Sequence, residues 1–313
     1  MSSAAVPPSE VVPPPVTVRR IPNPSEPVPV VAVPTLALLV VGLAGWILSS
    51  VLYLTGTLPA AVTIVLNAVT GYLLFTVAHD AAHRSASRVR WLNNAMGRLS
   101  TPLFALHAAF PVWRFIHMQH HRFTNHDDGD DPDHYTMRGP AWQRPLRWLS
   151  IDYHYVLFYL RNVRSRPRPE QVEGVVFLAL AVLVPVALIA TGHVVEWLVL
   201  LFVPSRLAIL WLAYAFDYLP HNGLHHKPKE DRMKTTRNRI GGERWVSPLM
   251  LYQNYHLVHH LHPTVPFYRY LQVWRRNESR YVDADPALST LRGREITPDE
   301  YRRMRELVEE HDH

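Results

Sequence analysis

Four stretches of this chain are apolar for long enough to cross a bilayer, and that fixes the solvent in which it folds. They are residues 30–54, 58–78, 172–190 and 194–219. A spanning helix needs about 20 such residues. The mean hydropathy of −0.05 hides them, because very polar stretches lie between. Residues 55–57 and 191–193 are the only connections within each pair, so the spans are expected as two helical hairpins. A fifth apolar patch, 99–113, contains Pro102 and Pro111. It is too short and too broken to span, and is expected to be re-entrant or interfacial. Arg206 lies in the middle of the fourth stretch. A charge there must face the bundle interior or a polar cavity; Glu196, Glu173 or a polar group of a substrate are the partners considered.

Lys and Arg set the orientation. Neither short connection has one, whereas Arg19, Arg20, the segment 84–168 and everything after residue 226 are rich in them. The positive-inside rule therefore puts both termini and the middle segment in the cytoplasm. The same rule accounts for the net charge of +6, so nucleic-acid binding is not expected. The chain has no Cys, which excludes disulfides, iron–sulfur clusters, thiolate zinc sites and thiol catalysis.

Residues 1–34 hold ten prolines and little to pack. Residues 1–29 are expected as a disordered tail, residues 30–280 as the membrane domain, and 281–313 as a C-terminal tail. Thr297-Pro298-Asp299-Glu300 reads as a capping box opening a short helix, with Tyr301, Met304, Leu307 and Val308 on one face.

The histidines carry the chemistry. There are 19, and most fall in four clusters: His79/His83, His117/His120/His121, His221/His225/His226 and His256/His259/His260. Two His at i and i+4 share a helical face and can grip one metal. One such pair at a membrane edge could equally be interfacial hydrogen bonding. Four clusters at the same ends of the spans point to one site. Imidazole suits Zn, Cu, Fe and Ni. Nine ligands (His79, His83, His117, His120, His121, His221, His256, His259 and His260) are too many for one ion and suit two. Two irons so placed would fit oxygen chemistry on a lipid.

The sequence resembles the membrane fatty acid desaturase-like superfamily of di-iron proteins, and within it the cyanobacterial-type β-carotene hydroxylases. The resemblance rests on three boxes, H-x-x-x-H from His79, H-x-x-H-H from His117 and H-x-x-H-H from His256. Asp131-Pro132-Asp133-His134, Phe216–His221, Gln253–Leu261 and Pro266–Tyr270 add to it. It implies an all-α integral membrane fold of four transmembrane helices with a cytoplasmic His-rich helical cap. It implies two Fe ions held by those nine histidines, O2 as co-substrate, and an external donor of the ferredoxin type. It places the protein in a membrane, expected to be a bacterial plasma membrane. Asp217 stands where relatives often have Asn four residues before the extra ligand, and is expected to orient His221 or hold a water. Asp80, Asp131 and Asp133 are candidates to accept a hydrogen bond from a ligating His. His225 and His226 have no counterpart in relatives; they are uncertain extra ligands or a solvated loop.

The implied substrate is a long lipid, with hydroxylation of a carotenoid ring as the first reading. A fatty acyl desaturase or hydroxylase is its rival on the same scaffold. A His-rich divalent-metal transporter is a distant alternative, because the spans lack a path of ionisable residues.

Overall fold

The structure is a computed structural model, and it describes residues 21–311. Residues 1–20 of the Pro-rich segment lie outside that range. Seven long helices dominate: α1 (Val33–Leu54), α2 (Ala60–Ala82), α3 (Arg90–Ser100), α4 (Phe110–Phe123), α5 (Arg144–Asn162), α6 (Arg168–Ala190) and α7 (Val194–His221). Four of them, α1, α2, α6 and α7, are long and apolar enough to span a membrane.

Small residues let the spans approach. A side chain at Gly42 would meet Leu74 of α2 at 2.9 Å, and one at Gly71 would meet Ala208 of α7 at 3.1 Å. Such close contact is how helices gain packing where lipid removes the hydrophobic driving force between them. The second hairpin is joined as its short connection requires, but α6 buries no residue. It touches the rest near Gly174, which sits on Val112 and Tyr159.

The fourth span is not a regular helix. It widens into π turns at Leu198–Phe202 and Ala213–Tyr218. Pro204 has no N–H to offer the Leu200 carbonyl four residues back. That carbonyl accepts instead from the Trp46 indole at 3.2 Å and from the Asn67 amide at 3.2 Å. In hydrocarbon this substitution is obligatory, since no water can serve the freed group. Asn67→Leu removes one of the two donors and one acceptor of the Ser49 hydroxyl, leaving that hydroxyl the Trp46 carbonyl at 3.1 Å. It should cost about 1 kcal/mol, read as a lower unfolding midpoint in detergent.

Arg206 takes a partner that its sequence neighbours do not supply. Its guanidinium pairs with both oxygens of Asp152 on α5 and donates to the Leu149 carbonyl at 3.0 Å. Glu173 instead pairs with Arg98 at 2.9 Å, and Glu196 lies by His193. The reason is that α5 packs along α7, which the sequence does not show. The patch at 99–113 does not span: α3 ends at Ser100, one 3-10 turn follows, and α4 opens with Pro111 in its first turn.

Two expectations about the ends are corrected. Residues 21–29 are not a loose tail. Arg276 donates to the carbonyls of Pro24 and Ser25 at 3.0 and 3.1 Å, Arg88 to that of Val28 at 2.7 Å, and Glu26 pairs with Arg276 at 2.8 Å. Backbone carbonyls and one carboxylate hold it, together with Ile21, which packs against the hydrophobic core of the C-terminal part. Residues 281–311 are not an appended tail either. Strands β1 (Asn238–Ile240), β2 (Leu288–Thr290) and β3 (Glu295–Ile296) form a small sheet in that order. Asn238 pairs with Leu288 in parallel, and Leu288 with Ile296 antiparallel. The crossover between the parallel strands carries the third His box. The last helix, Pro298–His311, opens as its capping box predicts, with Glu300 N donating to Thr297 Oγ1 at 3.2 Å. Tyr301 is buried, whereas Met304 and Leu307 are exposed; the side chain of Val308 lies outside the described residues.

Candidate metal centre

Helical periodicity sorts the histidines. His79 closes the last turn of α2 and His83 caps it. On α4, His117 and His121 share one face and His120 is turned to the side of it. On the short helix His256–Leu261, His259 points one way and His256 with His260 the other. His221 ends α7. The result is two groups, His79, His83, His117, His121 and His259 in one, and His120, His221, His256 and His260 in the other. Within each group the ligating atoms lie within 4.8 Å of one another.

The distances fit ligands around shared ions. Nε2 atoms face each other at 3.0 Å in His79–His259, 2.7 Å in His83–His117 and 2.9 Å in His121–His259. In the second group they do so at 3.3 Å in His120–His260 and 3.1 Å in His256–His260. Two nitrogens at right angles on one ion, each about 2.1 Å from it, are about 3.0 Å apart. Burial and mutual repulsion hold His83, His117, His121, His256, His259 and His260 well below the usual imidazole pKa. They are therefore neutral at pH 7, as metal ligands must be. The buried Nε2 of His221 has no hydrogen-bond partner among the described residues. Nine neutral or carboxylate-backed imidazoles in two groups are a donor set for two borderline cations such as iron or zinc.

The far nitrogens are held unequally. His120 Nδ1 donates to Asp131 at 2.9 Å, with Asp133 at 3.4 Å. Burial opposes a charged ring there, and the Asp133 and Asp131 carboxylates override it, raising the His120 pKa to about 9. Asp131 is fixed in turn by the backbone N–H groups of Asn125 and Asp133. Tyr270 OH meets His259 Nδ1 at 2.9 Å, and His221 Nδ1 donates to the Thr235 carbonyl at 3.3 Å. Tyr270 was visible in the sequence only as part of a motif, and Thr235 carried no signal, since its carbonyl is backbone. Outer partners of this kind set ligand orientation. Asp131→Ala should therefore lower metal occupancy or turnover about 10–100-fold, measured as metal per chain and initial rate, with His120 still present.

Four sequence-based candidates stand elsewhere. Asp80 touches no ligating His; it accepts from Thr35 Oγ1 of α1 at 2.7 Å and from Phe267 N at 3.2 Å. One residue after His79 on a helix, it points about 100° away and ties α1 to the chain beyond the third box. Asp217 makes no hydrogen bond to His221 among the described residues. The π turn at Ala213–Tyr218 breaks the i, i+4 alignment assumed for them. Asp217 instead lines a cleft with His120 and Asp133. His225 and His226 are exposed on the loop after α7 and join neither group. Of the flanking histidines, His126 lies by Asp128 at the surface, His262 meets Tyr281 OH at 2.6 Å, and His107 contacts Asp152.

The cleft has a polar end and an apolar body. His79, His117, His120, His256, Asp133 and Asp217 line the first. Phe75, Phe104, Trp113, Ile209, Leu212 and Phe216 line much of the second, which runs down between α2, α4, α5 and α7. Its free space, counted with the open mouth and the solvent there, is about 700 Å³.

Four helices long and apolar enough to span a membrane, with two histidine groups that could hold metal ions, define a class of His-rich integral membrane proteins. The chain belongs to the fatty acid desaturase family, whose sequence profile matches residues 55–292. It is similar to sn-1 oleoyl-lipid 12-desaturase of Synechocystis sp., 29% identical over 232 residues that cover 62% of this chain and 61% of the relative. It is also similar to a beta-carotene ketolase of Paracoccus sp., 34% identical over 202 residues, covering 63% and 71%. A chloroplastic omega-6 fatty acid desaturase of Brassica napus is 29% identical over 234 residues, covering 64% and 49%. The matches thus span about half to seven tenths of these relatives' lengths.

Proposed function

We propose that this protein is a di-iron oxidoreductase that uses O2 to oxidise an unactivated C–H bond of a long lipid, and that its substrate is a carotenoid, hydroxylated on the ring. One observation carries the reading: two groups of imidazoles meet at the polar end of a cleft, which His79, His117, His120 and His256 line and whose body is apolar and runs among the spans. Iron would be held by His79, His83, His117, His121 and His259 on one side and by His120, His221, His256 and His260 on the other. When bound, the metals would supply O2 activation, which no side chain here can provide.

The chain's own residues do the rest. Phe75, Phe104, Trp113 and Phe216 exclude water and hold the substrate's apolar body. Tyr155 bears a proton in the cleft wall, and Asp133 accepts it as a hydrogen bond. Tyr155 OH donates to Asp133 at 2.6 Å, and burial raises the Asp133 pKa to about 6. One atom of O2 leaves as water, so protons are needed beside the site. The chain supplies no redox group of its own, and two electrons per turnover come from a ferredoxin-type donor at the cytoplasmic face of a bacterial plasma membrane.

The carotenoid reading draws on the Gln253–Leu261 and Phe216–His221 motifs and on the similarity to a protein named for β-carotene. The acyl reading is favoured by a different finding, that other relatives are named as acyl-lipid desaturases. A transporter reading gains nothing, since Arg206 is engaged by Asp152 rather than free along a path. The test is expression in a β-carotene-producing host without a hydroxylase, with pigments and fatty acids analysed from the same cells. Ring-hydroxylated carotenoid is expected. Unchanged β-carotene with new acyl double bonds would replace this reading by the acyl one.

A further inference from the structure

We infer that residues 241–252 form a lipid-seated flap, and that the lipid substrate enters the cleft sideways from the bilayer beneath it. The inference rests on the proposed lipid substrate, and its first observation is depth. Tyr72 OH of α2 donates to the Leu249 carbonyl at 3.1 Å. Tyr72 precedes His79 by seven residues, about 10 Å along the helix axis. Val65, Val69 and Tyr72 lie on one helical face, and Val65 and Val69 are 57% and 48% exposed in a segment that spans the membrane. The flap therefore reaches down to the end of a lipid-facing stripe.

The second observation is what the flap presents there. Its short helix, Val246–Leu249, and the residue before it show Leu249 at 77% and Trp245 at 73% exposure. An exposed Trp and Leu at the edge of a spanning helix suit the acyl and headgroup boundary of a bilayer. The occupant of this face is lipid.

The third is what lies behind. The Tyr72 ring is 5.7 Å from that of Phe216, and Phe216 is 5.6 Å from Phe75. Phe75 and Phe216 line the cleft and Tyr72 does not. A single aromatic layer thus separates the flap from the cleft. Left-handed backbone bounds the flap at both ends: it opens with Gly241 and Gly242 at φ +104° and +65°, a region that favours Gly, and closes with Leu251 and Tyr252 at φ +46° and +59°. The next residue, Gln253, lines the cleft, and His256 follows. Motion of the flap is therefore coupled by three residues to the metal-ligating box.

The natural chain has no Cys, so single cysteines report cleanly. Trp245→Cys and Leu249→Cys, each spin-labelled in lipid nanodiscs, should relax faster with O2 than with a water-soluble nickel chelate. The reverse order would overturn the inference. Tyr72→Cys with Leu249→Cys, joined by a short reducible bis-methanethiosulfonate, should lose lipid turnover at least tenfold and regain it on reduction. Metal content should not change, and the single variants treated alike should keep turnover. Full turnover in the cross-linked protein would overturn sideways entry at this face. Loss of turnover that reduction does not reverse would also count against it, as damage rather than closure. If the unlinked protein oxidises no lipid, the proposed function fails, and the labelling order still decides where the flap sits.

Discussion

Replacing His221 with Ala should lower turnover more than about 100-fold, because loss of an outer partner alone already costs 10–100-fold. The change should also reduce metal in the group with His120, His256 and His260. Its Nε2 is buried, lacks a hydrogen-bond partner among the described residues and lies with three other imidazoles within 4.8 Å. Its Nδ1 is committed to the Thr235 carbonyl, which fixes the ring and leaves only Nε2 for a metal. The Ala variant keeps the helix end, so an effect on metal is separable from unfolding by circular dichroism. A paired His225→Ala, His226→Ala variant should keep most of both metal and turnover, since those side chains are exposed. Metal analysis and initial rates on the two variants check this. Loss of metal in the paired variant with retention in His221→Ala would assign the fourth cluster to the loop.

Asp152→Ala should destabilise the protein by about 3–5 kcal/mol, the cost of stranding a buried charge. The pair sits between α5 and α7, with side-chain exposures of 5% for Asp152 and 13% for Arg206. Removing the carboxylate leaves the Arg206 guanidinium in a spanning helix with the Leu149 carbonyl at 3.0 Å and the Tyr153 and Phe202 rings beside it, but with no other carboxylate paired to it among the described residues. Arg206→Met combined with Asp152→Ala removes both charges and should recover most of the loss, since a buried ion pair exchanged for apolar side chains is often neutral. Unfolding midpoints of the wild type, both single variants and the double variant measure the coupling. Equal destabilisation by the single and double changes would show that packing, not charge, holds α5 on α7.

The spans and the His boxes were legible because each rests on a local period. Twenty apolar residues make a span wherever they occur, and i, i+3, i+4 spacing puts imidazoles on predictable faces. What local period could not show is how helices meet. Arg206 found Asp152 because α5 lies along α7, a contact between residues 54 apart. Asp80 reads as a carboxylate of the first box, yet it is turned toward Thr35 and Phe267. The π turn at Leu198–Phe202 lies beside Pro204 and beside donors on α1 and α2, and a second at Ala213–Tyr218 takes Asp217 out of the i, i+4 alignment with His221 that a regular helix would give. Residues 21–29 are held by arginines more than 50 residues away, which composition alone cannot reveal.

The account stands on two metals per chain. The protein purified from iron-supplemented cells should contain about two Fe per chain, because the nine gathered histidines divide into a group of five and a group of four. Removing the metal should abolish lipid oxidation, and reloading with Fe(II) should restore it. Elemental analysis finding one zinc per chain, with no activity gained on loading iron, would contradict the account at its centre.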